Sequence, residues 1–151
     1  MFWTGVALAV ALITVWLVPA GRGASRRSDQ LEVALDQLLK CELEQAFLSI
    51  RPKFAATKFL QFGRYPIGDS RLGIELAFPS AAWSDDYFPK IVTAASQRGL
   101  KYEVQELKGE VNRFVFVQFE DSAYQAAAFA QSVLTDVFGF APDYNFRVRI
   151  N

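Results

Sequence analysis

Histidine is absent from this chain of 151 residues, and cysteine and methionine each occur once. Without histidine, the common ligand sets for zinc, haem and iron cannot be assembled, and serine or cysteine nucleophiles lack their usual base. The single cysteine, Cys41, excludes a disulfide framework. We therefore expect no catalytic residues, no cofactor and no metal site.

An excess of either charge is also missing, because sixteen basic residues balance sixteen acidic ones. Net neutrality argues against a protein that binds nucleic acid along an extended surface. Apolar residues make up 52 % of the chain, which excludes a disordered, highly charged protein. The length suits one globular domain with its own core.

The N-terminal segment, residues 1–21, carries no charged side chain, and residues 2–18 are almost continuously apolar. As a helix these seventeen residues span about 26 Å, close to the roughly 30 Å of a bilayer core. The pattern predicts a single-pass transmembrane anchor with the lipid bilayer as a partner. Its anchoring side chains are Phe2, Trp3, Leu8, Leu12, Ile13, Trp16 and Leu17.

A basic linker, residues 22–27, follows this segment and carries Arg22, Arg26 and Arg27. By the positive-inside rule, these arginines place the domain in the cytoplasm, at the cell membrane. Two alternatives stay open: a signal peptide cleaved near Ala20, which would leave an exported soluble domain, and a buried core helix. No positive charge precedes the apolar run, which favours the anchor over the signal peptide.

The globular domain is predicted to be residues 28–151 and to begin with an amphipathic helix over 29–50. Apolar residues recur at helical spacing along it, Ser28 or Asp29 can cap its start, and Pro52 follows its end. This helix packs on its own domain, or else forms a stalk or a partner-binding element. The stripe consists of Leu31, Leu35, Leu38, Leu39, Leu43, Ala46, Phe47 and Ile50.

The remaining hundred residues show the pattern of an antiparallel α+β domain. Strands are predicted near 58–62, 71–78, 100–107 and 113–119 and after Pro142, with helices opening at Ser84 to Asp86 and at Asp121 or Ser122. From Arg71 onward the order is βαββαβ. We therefore expect a ferredoxin-like sheet of four to five strands.

One face of this sheet is predicted to be an interaction face or a helix-docking face. Alternation along 113–119 places Phe114 and Phe116 opposite the side chains that face the helices. Arg147 and Arg149 share the outer face of the last strand, where they could hold a phosphate. In a ferredoxin-like sheet that strand lies beside the first, so Glu75 is the expected partner of the arginines.

Two parts of the chain resemble known protein families. Residues 114–119, FVFVQF, resemble the third-strand signature of RNA-recognition motifs. The chain departs from this signature at two places. Asn112 and Arg113 replace its basic residue and glycine, and Gly73 stands where such domains present a stacking aromatic.

Residues 29–151 are similar to bacterial type III secretion chaperone-like domains of the YbjN type. The resemblance covers a leading helix, KFLQFGR, a turn, RLGIELAF and a helix end at VFGFAP. It implies binding of protein segments and no catalysis.

Taken together, these patterns favour a membrane-anchored, non-enzymatic accessory subunit that binds another protein subunit rather than nucleic acid. The alternatives are a small-ligand sensor, an RNA-binding module similar to RNA-recognition motifs, and a small cofactor-free enzyme. A pocket with convergent polar groups would favour ligand binding, whereas a flat apolar patch would favour a protein partner.

Overall fold

The computed structural model describes residues 24–54, 57–106 and 113–151. In chain order the elements are β1 (Ala24–Arg27), α1 (Glu32–Lys40), β2 (Leu48–Pro52), β3 (Leu60–Pro66), β4 (Leu72–Pro79), α2 (Phe88–Gln97), β5 (Lys101–Glu106), β6 (Arg113–Gln118), α3 (Ala123–Ser132) and β7 (Asn145–Ile150). A π-helical turn, Val133–Val137, continues α3.

Within the described residues the seven strands form one antiparallel sheet in the order β1-β7-β2-β3-β4-β6-β5. The C-terminal strand is therefore internal and pairs on both sides, with β1 and with β2. Phe47 and Asn151 extend the pairing of β2 with β7, because each donates its backbone N–H to the other's carbonyl.

The ferredoxin-like prediction of four to five strands is wrong. The last strand does not lie beside β4, because β2 and β3 stand between them. The sequence pattern concealed β2 inside the predicted helix 29–50. In the structure α1 ends at Lys40, Cys41 is extended, and Gln45 has a left-handed backbone (φ 57°) before the chain turns into β2.

The start of the domain also differs from the prediction. Arg26 and Arg27 do not belong to a linker; they lie in β1, which pairs with β7. The N-cap of α1 is Leu31, and no side chain caps the helix there.

No helix in the described ranges is long and apolar enough to cross a bilayer. The prediction of a single-pass membrane protein with a cytoplasmic domain is corrected accordingly. The predicted anchor, residues 1–21, and Arg22 lie outside the residues that the structure describes.

The hydrophobic core lies on one face of the sheet, here named the helix-bearing face. Alternate strand residues and the buried sides of all three described helices belong to one apolar cluster. The strand residues in this cluster are Leu48 and Ile50, Leu60 and Phe62, Ile74, Leu76 and Phe78, Val115 and Val117, and Phe146 and Val148. Val115 and Val117 belong to the cluster with the helices, as the alternation along 113–119 predicts, although the strand order differs from the expected one.

Candidate functional site

The opposite side of the sheet, here named the second face, is buried although no described helix or strand lies on it. Its buried residues fall at the alternate positions of β2, β3, β4 and β6, and none belongs to the apolar cluster of the helix-bearing face. They are 2 to 6 % exposed and comprise Ser49, Gln61, Glu75, Ala77, Phe114 and Phe116. This unusual burial makes the second face the candidate functional site.

Strand register aligns part of the second face into one line perpendicular to the strands, here named the transverse row. Each of its residues pairs directly with the next across neighbouring strands. In order from β7 to β5 the row is Arg149, Ser49, Gln61, Ala77, Phe116 and Glu103. The row thus begins with a cation, ends with an anion, and carries no charge between them.

The apolar centre of the second face is formed by β4 and β6. Phe116 pairs with Ala77, and Phe114 pairs with Pro79. The two phenylalanine rings stack on each other, with centroids 6.0 Å apart and planes 21° from parallel. Two aromatic rings beside two small residues make a surface that is apolar but shallow.

Arginines flank this apolar centre on the side of β7 and β2. Arg147 pairs with Arg51 across the strands, and Arg149 pairs with Ser49. The Arg51 guanidinium lies over the Phe59 ring, 4.6 Å from its centroid, and burial lowers the pKa of Arg51. Within the described part of the chain, Arg147 and Arg149 form no ion pair.

The expected pairing of Glu75 with these arginines is therefore wrong, because β4 and β7 are not neighbours. Glu75 instead accepts a hydrogen bond from Gln118 Nε2 at 3.2 Å. Burial raises the pKa of the Glu75 carboxyl to about 7; the Gln118 hydrogen bond lowers it, and the charge of Glu103 raises it further. The second face therefore holds a carboxyl group whose neutral form is favoured by burial.

Gln61 is the second buried polar group of this face. The side chain is 2 % exposed, and its Nε2 has no hydrogen-bond partner among the described residues. A buried donor without an acceptor costs about 1–3 kcal/mol. A ligand that brings an acceptor to the centre of the transverse row would recover this free energy.

The structure gives a reason for the glycine that breaks the resemblance to RNA-recognition motifs. A Cβ atom on Gly73 would lie 2.7 Å from Tyr65 Cε1 and 2.8 Å from the carbonyl oxygen of Glu120. No stacking aromatic fits at this position. The rings of Phe114 and Phe116 stack on each other, so they do not form the separate platforms on which RNA-recognition motifs stack bases.

The other chemistry-bearing residues have structural partners. Asp121 forms an ion pair with Arg71 at 2.8 Å, and Asp85 accepts a hydrogen bond from the Ser80 hydroxyl. Cys41 is half-buried, and its carbonyl accepts a hydrogen bond from Arg64. Within residues 24–54, 57–106 and 113–151, no group of three His, Cys, Asp or Glu side chains could hold a metal ion.

A groove of about 430 Å³ lies between α2 and the π-helical turn, away from the second face. Lys90 from α2, Arg98 at the C-cap of α2 and Asp136 from the turn contribute its charges. The Arg98 guanidinium also lies over the Phe129 ring, 5.8 Å from its centroid. The charges are of mixed sign at a solvent-exposed site, which gives a small ligand no convergent set of polar groups.

The sequence-based site residues thus fall into two groups. Phe114, Phe116, Arg147 and Arg149 all lie on the second face, whereas the anchor residues lie outside the described ranges. Ser49 and Gln61 were missed because the topology was wrong. Their alternation with Leu48, Ile50 and Leu60 was the available signal.

Comparison of the chain with protein-family models, with curated proteins and with solved structures finds no match. Function is therefore inferred from the chemistry of the second face.

Proposed function

We propose that this chain is a non-catalytic protein-interaction domain, an accessory subunit that binds an apolar protein segment on the second face of its sheet. The observation that carries this proposal is the burial of six neighbouring residues on a face without a described helix. A surface of this kind is stable in water only when another apolar surface covers it.

The shape and composition of the face favour a helix or an extended segment over a small molecule. The apolar centre consists of two phenylalanine rings beside the small side chains of Ala77 and Pro79 on the neighbouring strand. Protein partners bind such shallow apolar patches, whereas small ligands need concave sites. The resemblance to type III secretion chaperone-like domains implies the same kind of ligand.

The flanking charges favour a segment with an acidic end. Arg147 and Arg149 lie at one end of the face and form no ion pair in the described structure. Acidic residues of a partner placed over β7 would pair with them, and such complementary charges fix orientation and speed association. The opposite end carries Glu103 on β5, which disfavours the reversed orientation.

The proposal is tested with a labelled synthetic helix of about 17 residues, rich in leucine and alanine and with three glutamates at one end. Fluorescence anisotropy measures its binding to the full chain. We expect Arg147→Glu combined with Arg149→Glu to weaken binding at least tenfold. The matched control, Lys90→Glu with Arg98→Glu, makes the same change of charge beside the α2 groove.

An equal loss of affinity in both double variants would show that only net charge matters, and it would contradict a site on the second face. Displacement of the peptide by single-stranded RNA, but not by an unlabelled copy of the peptide, would assign the arginines to nucleic-acid binding instead.

A further inference from the structure

The sheet of the described residues ends in two edge strands, β1 and β5, each paired with one neighbour. The outer backbone N–H and C=O groups of an edge strand are a template for pairing with a further strand. β1 carries two arginines and no acidic side chain, so a copy of β1 would bring only like charges to that edge. β5 carries charges of both signs.

The side chains of β5 alternate between apolar and charged, and most of them are exposed. Tyr102 and Val104 pair with valines of β6 that belong to the apolar cluster of the helix-bearing face, yet each is 42 % exposed. Lys101 and Glu103 lie on the side of the second face. Within the described ranges, neither of these two forms an ion pair.

Two copies of β5 match each other when they pair antiparallel about a two-fold axis through Tyr102. In this register Lys101 of each copy lies opposite Glu103 of the other, and the two Tyr102 side chains are neighbours. Leu100, which is half-buried, lies opposite Val104. Opposite charges and apolar or aromatic side chains directly across two strands stabilise a pair. Residues 100–104 thus match without a contact between like charges.

The neighbouring registers lack this match. Because opposite residues of an antiparallel pair point to the same face, the alternative two-fold axes pass through the other residues of β5. An axis through Lys101 or through Glu103 places that residue opposite its own copy, which brings like charges together. An axis through Val104 places Tyr102 opposite Glu106. The charges of β5 therefore favour the axis at Tyr102.

We propose that β5 pairs with β5 of a second copy of this chain, in the antiparallel register centred on Tyr102, so that the two sheets become continuous. This inference goes beyond the function proposed above and does not depend on it. The second copy also adds to the second face, because its Lys101 lies beside Glu103, the last residue of the transverse row. The short paired stretch makes this a weak dimer that dissociates on dilution.

Charge reversal in the full chain tests the register. Lys101→Glu places two carboxylates in each cross-strand pair, and Glu103→Lys places two ammonium groups there. We expect each variant to weaken the dimer about tenfold or more, as measured by sedimentation velocity over about 5 to 500 µM chain. The matched control, Lys90→Glu, makes the same change of charge at an exposed position on α2 and should leave the dimer unchanged.

Two further measurements separate a lost cross-strand pair from lost folding. The double variant Lys101→Glu with Glu103→Lys exchanges the charges within each copy and should restore the dimer. An equimolar mixture of the two single variants should form a dimer with one copy of each, because every carboxylate again lies opposite an ammonium group. Absence of dimer from both samples would overturn the proposal.

A cysteine at the axis tests the position of the contact. Because Cys41 is the only cysteine, Cys41→Ser gives a background free of thiols. In this background the two copies of Tyr102→Cys lie opposite each other, so a short bifunctional maleimide should join them, as measured by intact mass. Glu106→Cys is the control on the same strand. Its two copies lie four residues beyond the axis in opposite directions, about 27 Å apart.

Each remaining outcome of these experiments contradicts the proposal. A chain that stays monomeric over the whole concentration range does not pair with itself. Equal cross-linking at positions 102 and 106 would show a different register. Growth into species larger than a dimer would show a head-to-tail contact, such as β5 of one copy with β1 of the next, which leaves further edges open.

Discussion

Glu75 is a carboxylic acid buried on the face of the sheet that no described helix covers, and its ionisation opposes folding. Its pKa is raised from 4.5 to about 7, chiefly by burial. In the pH range between these values the folded state holds the proton more often than the unfolded state does. The free energy of unfolding therefore falls as the pH rises through this range, and it levels off above pH 7.

We expect Glu75→Gln to remove this pH dependence, because the amide keeps a polar group of the same shape without a charge. The shift corresponds to about 3 kcal/mol between pH 4.5 and pH 8. Urea unfolding at pH 5, 6, 7 and 8 measures it. The variant should be more stable than the unmodified chain at pH 8 and close to it at pH 5.

Glu32→Gln, at an exposed position in the first turn of α1, provides the control and should leave the pH dependence intact. If the Glu75→Gln variant loses stability between pH 5 and pH 8 as steeply as the unmodified chain, the prediction is wrong. Water then reaches the second face, and Glu75 is ionised in the folded protein.

At the scale of elements, α3 shows what a local signal can predict. Ser122 lies at the N-cap, and its hydroxyl accepts a hydrogen bond from the N–H of Gln125 at 3.1 Å. Just before it, Glu120 has a left-handed backbone (φ 54°), and its carbonyl accepts a hydrogen bond from Ile74. The cap and this link to β4 together fix where α3 begins.

We expect Ser122→Ala to lower the free energy of unfolding by about 1 kcal/mol, because one backbone N–H at the start of α3 loses its acceptor. Chemical denaturation measures the loss. Ser96→Ala, at an exposed position inside α2, should change stability by less than about 0.5 kcal/mol. An equal effect of the two substitutions would show that the cap does not stabilise α3.

The start of the domain shows where local signals fail. The apolar stripe of residues 29–50 fits a helix, yet Leu48 and Ile50 also alternate as a strand requires. A short apolar segment is compatible with both the helical period and the strand period. The chain forms β2 because pairing with β3 and β7 provides hydrogen-bond partners for its backbone N–H and C=O groups on both sides. Those partners lie ten to a hundred residues away in sequence, beyond the reach of a local pattern.

At the scale of the whole molecule, the middle strands β2, β3, β4 and β6 have buried residues on both faces of the sheet. The helix-bearing face holds the main apolar cluster, and the second face buries the rings of Phe114 and Phe116. We expect Phe114→Ala with Phe116→Ala to destabilise the full chain by about 3 kcal/mol or more, because both rings lose buried contacts. Urea unfolding at one pH measures this loss.

Tyr124→Ala is the matched control, because it also truncates an aromatic side chain but one that is 69 % exposed. Its effect should stay below about 0.5 kcal/mol. Near-normal stability of the double phenylalanine variant would mean that the second face is covered only when a partner binds.

By itself, the sequence determined several features of this protein: the α+β composition, the alternation that puts Phe114 and Phe116 opposite Val115 and Val117, and the start of α3 at a cap formed by Asp121 or Ser122, of which the structure uses Ser122. These features depend on residues close in sequence, where side-chain period and backbone hydrogen bonding act locally. Only the tertiary structure decided that β7 lies between β1 and β2, and that Arg149, Ser49, Gln61, Ala77 and Phe116 share one row. Strand order and register depend on pairings between distant residues, whose free energies compete across the whole chain.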